Sequence, residues 1–239
     1  YRLLLKTSEI NAKAKALTLA YASGADLDHL AANRDVYRLL IQFANNSVVP
    51  PTPAIYESDE ALRRRVQLAP ERESAGSAGA YQFWGLSASG QIKDIGILTP
   101  VAGTVDIWVQ SNQTSLAPQS LLNAVATALD PATRRPLTDL VNVKAATPYD
   151  WTVDAVLVLF PGPDANVVTA AANAALDKYI DQVSYLGYDV TRSGIIAALF
   201  QGGVQNVILN SPATDIVLAA NRYARCISKS VMSTEFRNV

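Results

Sequence analysis

The stretch YDWTVDAVLVLF, residues 149–160, decides the fold. Tyr149, Trp151, Val153, Ala155, Leu157 and Leu159 stand two apart, the period at which side chains of an extended strand return to one face. The residues between them are polar as far as Asp154 and apolar beyond it, so from Ala155 onward both faces ask for cover. The sequence downstream supplies it. Asp164 is placed to cap a long helix with the stripe Val168, Ala172, Ala175, Tyr179 and Val183, followed by Gly187. A shorter helix around residues 195–200 ends at Gly202 and Gly203, because glycine readily takes the left-handed conformation that closes a helix. Strands over residues 204–210 and 223–230, separated by Pro212, complete a β-α-α-β-β order.

Upstream, Val141, Val143 and Ala145 alternate with Asn142 and Lys144, which predicts another strand. Before it, Leu121, Leu122, Val125 and Leu129 form the stripe of a helix that stops before Pro131. Earlier still, Ile95 and Ile97 face Val105, Ile107 and Val109 across a connection holding Pro100 and Gly103, a hairpin. This segment reads β-β-α-β. The rest is helical. Residues 1–22 put Leu4, Leu5, Ile10, Ala14, Leu17 and Tyr21 near helical spacing, and Ser23 and Gly24 end that helix. Asp26 can cap a short helix with Leu27, Leu30 and Ala31 inward and Asp28 and His29 turned away. A strand is expected over residues 37–43, and PPTPA, residues 50–54, reads as an extended connector and a boundary that could act as a hinge. Ser58 caps the next helix, where Asp59 and Glu60 stand four residues before Arg63 and Arg64, the favourable order for surface ion pairs. SAGSAGAYQFWGLSASG, residues 74–90, predicts a closely packed helix through residues 81–86.

The expected class is therefore α+β. A helical N-terminal region, residues 1–90, carries an extended linker near 45–57; two small α/β lobes with mixed sheets follow at 91–147 and 148–239. The first residue is Tyr1 rather than Met, as in a sequence that begins inside a longer protein.

Composition narrows the function. The 239 residues are 49% hydrophobic and 17% charged, an ordinary globular balance light on charge, which fits a surface partly covered by partners. Net charge is −1 from 20 basic and 21 acidic residues, so no global field gathers phosphates and nucleic acid is not the expected partner. The longest apolar run, residues 155–160, falls far short of the roughly 20 residues that cross a bilayer, so no membrane insertion is expected.

The chemistry-bearing residues are few. With one His and one Cys, only a carboxylate metal site could form, and no Asp-rich calcium loop is present. Cys226 lies in an expected strand, where a small buried side chain is its usual role rather than pairing with His29 as a nucleophile. AGSAG, residues 75–79, comes within one residue of a nucleophile elbow but follows no buried strand. No Gly-rich loop runs into a Walker lysine. The best enzymatic cluster is Asp26, Asp28, His29, Arg34 and Asp35, and its alternative reading is a capped helix with a solvated face. We expect no catalytic residues, no cofactor and no small-molecule substrate; the alternative is a small-molecule or cell-wall hydrolase built on Asp28, His29 and Asp35.

Six phrases in order carry a resemblance: GADLDHLAA, ESDEALRRRVQLAPE running into SAGSAGAYQFWGLSA, IKDIGILTPVAGTVDIWVQ, RRPLTDLVNVKAA and GVQNVILNSPATDI. Together they resemble the baseplate J-like proteins of contractile-tailed phages over nearly the whole chain. The resemblance implies a non-enzymatic wedge component of the tail baseplate, made in the host cytoplasm and then held in the virion tail. The partners it implies are the protein itself and other wedge and hub proteins. Interface anchors are often aromatic or Arg. Arg134, Arg135, Tyr149 and Trp151 are candidates on that ground, although Trp151 also reads as core, and Asp139 joins them from RRPLTD, a phrase that could equally fix a loop.

Overall fold

The structure, a computed structural model, describes residues 2–234 except 132, 133, 137 and 163, and for residues 2–5 and 12 the backbone alone. The chain divides into two compact units, Tyr1–Lys144 and Ala145–Val239.

The first unit opens with helices α1 (Arg2–Ala16) and α2 (Gly24–Ala32), the strands β1 (Leu40–Gln42) and β2 (Ile55–Tyr56), and helix α3 (Asp59–Leu68), which runs into a 3₁₀ turn at Ala69–Glu71. Helix α4 (Ala78–Ser87), strands β3 (Ile92–Val101) and β4 (Thr104–Ser111), helix α5 (Gln119–Leu129) and strand β5 (Leu140–Ala145) follow. The first helix stops at Ala16, short of the expected 22, because the Thr18 amide and hydroxyl both bond the Lys15 carbonyl and tighten the end into i→i−3 turns. Side chains of the expected stripe residues Leu4 and Leu5 lie outside the described residues. Asp26 does not cap α2. Ser23 holds the cap position without a side-chain bond, and the Gly24 amide is satisfied instead by Asp59 Oδ2 of α3 at 3.0 Å. Ser58 caps α3 as expected, its hydroxyl accepting from the Ala61 amide.

Leu27, Ala31, Val36, Leu62, Val66, Ala69 and Phe83 bury a small apolar core between α2, α3 and α4. Helix α4 approaches β3 closely at a glycine: a Cβ on Gly85 would come within 3.1 Å of Ile95. The sheet order is β3-β4-β5, and β3 pairs antiparallel with β4, Ile95 opposite Val109 and Ile97 opposite Ile107. Gly103, at φ 78°, makes the turn, while Pro100 belongs to the end of β3 rather than to the connection. Alternation puts Ile95, Ile107 and Val109 on one face, yet Asp94, Asp106 and Gln110 are also buried. Arg64 neutralises Asp94 at 2.6 Å, and Lys144 and Asn142 bond Asp106 at 2.6 and 3.0 Å.

The short strands correct the linker expectation. Of residues 37–43 only Leu40–Gln42 are strand, and they pair antiparallel with β2. Asn45 and Thr52 exchange both backbone hydrogen bonds, at 2.9 and 3.0 Å. Residues 45–57 are thus the tip and returning arm of a hairpin. Proline density hid this, since Pro50 and Pro51 sit in the tip, where no ladder bond is required, and Pro53 follows the Asn45–Thr52 pair on the returning arm.

The second unit contains β6 (Thr147–Leu159), helices α6 (Ala165–Val183) and α7 (Arg192–Leu199), and strands β7 (Val204–Ser211) and β8 (Arg222–Thr234). Its sheet is mixed, with order β7-β6-β8: β7 runs antiparallel and β8 parallel to the central β6. Trp151, Val153, Ala155, Leu157 and Leu159 of β6 pack against Val168, Ala172 and Leu176 of α6 and Ile195 and Leu199 of α7, all buried. Leu176 takes the place in the stripe that spacing gave to Ala175. Asp164 caps α6 by accepting from the Asn166 amide, and Gly203, at φ 97°, follows α7.

Candidate interface surfaces

The enzymatic cluster around His29 is not brought together. Asp28 faces Arg38, which donates to it from Nε and Nη2 at 2.9 and 2.8 Å, and Asp35 faces Arg72 at 3.5 Å. Asp26 and His29 are exposed, and Arg34 donates to the Val66 carbonyl at 3.1 Å. No hydrogen bond or ion pair among the described residues joins the imidazole to either carboxylate, so the hydrolase alternative has no support. Ser77 of AGSAG spends its hydroxyl as the cap of α4, accepting from the Ala80 amide. Cys226 is half-buried beside the second unit's core, and burial pushes its thiol up, away from a reactive thiolate.

Arg134, Arg135 and Asp139 lie in the loop between α5 and β5. The Arg134 guanidinium stacks 3.7 Å from the centre of the Trp84 ring and donates to the Ala128 carbonyl. Arg135 pairs with Asp130 at 3.1 Å and also donates to the Asp139 carbonyl. Asp139 accepts from the Tyr81 hydroxyl at 2.9 Å; burial, reinforced by this carboxylate, pushes the phenol well above its ordinary range. Arg134 and Asp139 therefore fix the loop against α5 and α4, while Arg135 joins the loop's two ends. In the second unit Tyr149 is half-buried with the Arg222 guanidinium 5.0 Å from its ring centre. Trp151, 5% exposed, lies in the core.

Between α5 and β5 lies an open recess of about 470 Å³, lined by Leu129, Leu140, Val141 and Val143 together with Ala126, Thr127 and the charged pair Asp130 and Arg135. It exists because β5, unlike β6, keeps every side chain at least partly exposed.

Sequence reasoning missed the root of the β1–β2 hairpin. Glu57, buried, accepts from Arg65 at 2.7 Å and from the Leu39 amide at 2.9 Å, while the Arg65 guanidinium also donates to the Tyr37 carbonyl. Burial pushes Arg65 down against the opposing pull of Glu57. Arg38 donates to the Glu57 carbonyl at 2.7 Å and pairs with Asp59 as well as Asp28. The arginines of RRR therefore do not form the expected pairs with Asp59 and Glu60. Arg63 donates to the Leu19 and Ala22 carbonyls, Arg64 to Asp94, and Arg65 to Glu57. Beyond this root the hairpin is bare: residues 42–56 are exposed except Ala54, which is half-buried, with Phe43 80% and Val49 99% accessible. From Leu39 to Tyr56 it holds no charged side chain. Exposed apolar surface of this kind marks sites of contact with other molecules.

An exposed, uncharged arm rooted by arginine, a recess of mixed apolar and polar lining and a loop tied by arginine make the first unit a module of surfaces, the character of a structural part. The chain belongs to the baseplate J-like protein family. Residues 1–45 match the Baseplate J-like N-terminal domain, 73–145 the central domain and 151–231 the C-terminal domain. It is 41% identical over 235 residues to baseplate protein J of Escherichia phage P2, a match covering 98% of this chain and 78% of that protein. A chain in the cryo-EM structure of the anti-feeding prophage baseplate, symmetrised six-fold, is 17% identical with a TM-score of 0.47; the match covers 74% of this chain and 42% of that one.

Proposed function

We propose that this chain is a structural component of a phage or prophage tail baseplate, working by fitting surfaces together rather than by turning over a substrate. The match to baseplate protein J, 41% identical across 98% of the chain, carries this reading. The exposed, uncharged arm supports it, since a surface that must be covered is expected of an assembly part. In this reading the protein is made in the host cytoplasm and becomes part of the tail as a wedge component. It associates with copies of itself and with other wedge and hub proteins. The reading divides the chain into a helical region, 1–90, and lobes at 91–147 and 148–239; the family-domain matches ending at 145 and beginning at 151 support a boundary between the lobes. Arg134, Arg135, Asp139 and Tyr149 are proposed to serve partly by shaping the surface that partners meet, with Trp151 supporting it from the core.

The test is electron microscopy of particles from a producing host with the gene disrupted and then restored on a plasmid. The expected result is loss of assembled baseplates and contractile tails on disruption and their recovery on restoration. Complete, contractile tails from the disrupted strain would overturn the proposal.

A further inference from the structure

We draw no further inference here: the strongest candidate, the outer edge of β8 beyond Tyr223, which among the described residues has a strand partner only on its β6 side, carries nothing because nothing in the structure shows what covers it.

Discussion

The two units are held together by different chemistry. Around β6 the second unit buries an unbroken apolar set, Leu157, Leu176, Ile195 and Leu199 among the residues with no exposure at all. The helical part of the first unit has a smaller apolar core and a set of arginines that cross it. Arg34, Arg63 and Arg72 each donate to a backbone carbonyl more than thirty residues away, while Arg38 and Arg65 lock the hairpin root and Arg64 holds Asp94. An apolar core tolerates many solutions of the right volume. A charged cross-brace does not, because removing one partner leaves the other buried and uncompensated. The second unit is therefore stable through area and the hairpin root through geometry. The arm can be bare because its position does not depend on burying itself.

This contrast can be broken in graded steps. The largest effect is expected at the root: Arg65→Ala or Glu57→Ala should each cost about 3–5 kcal/mol in urea unfolding, whereas the double change to Arg65→Met and Glu57→Leu should cost less than either single one. A double variant as unstable as the sum would mean that the two residues do not act as a pair. In the second unit Leu157→Ala should cost about 2–5 kcal/mol, from lost transfer energy plus the cavity left behind. Removing the α3 cap with Ser58→Ala should cost about 1 kcal/mol by the same measurement. Leu140→Ser, on the uncovered β5, should shift the free chain's stability by no more than about 0.5 kcal/mol.

Acid adds a finer probe of the same brace. The Gly24 amide, and then Arg38, hold the Asp59 carboxyl below the ordinary carboxylate value. A carboxyl with a depressed native pKa contributes stability that is present above its unfolded value and is lost as pH falls through the native one. Stability should therefore drop below about pH 4, and Asp59→Asn should make that drop shallower in an acid titration followed by circular dichroism. An equally steep drop would place the acid sensitivity elsewhere.

Much of the fold was legible in the sequence because it is written in local periods. The alternation of residues 149–160, the caps Ser58 and Asp164 and the stripe of α5 each depend on neighbours within a few residues, and each appears in the structure. The arginines were misread for the opposite reason. Spacing along α3 sees only partners three or four positions away, while the partners chosen lie up to 44 residues off. The hairpin was hidden by its prolines, although the absence of charge between Arg38 and Glu57 was a signal that the segment serves something other than a solvated linker. Alternation also could not show that β5 would be left uncovered, since that depends on which helix lies above it.

On the proposed reading, the arginine braces of the first unit hold an uncharged arm out for assembly. Cryo-EM of intact tail particles containing this chain tests it most directly. Residues 42–56 should be buried against a neighbouring chain with the Arg65–Glu57 root unchanged; an arm still standing in solvent within the finished baseplate would show that it is not held out for assembly.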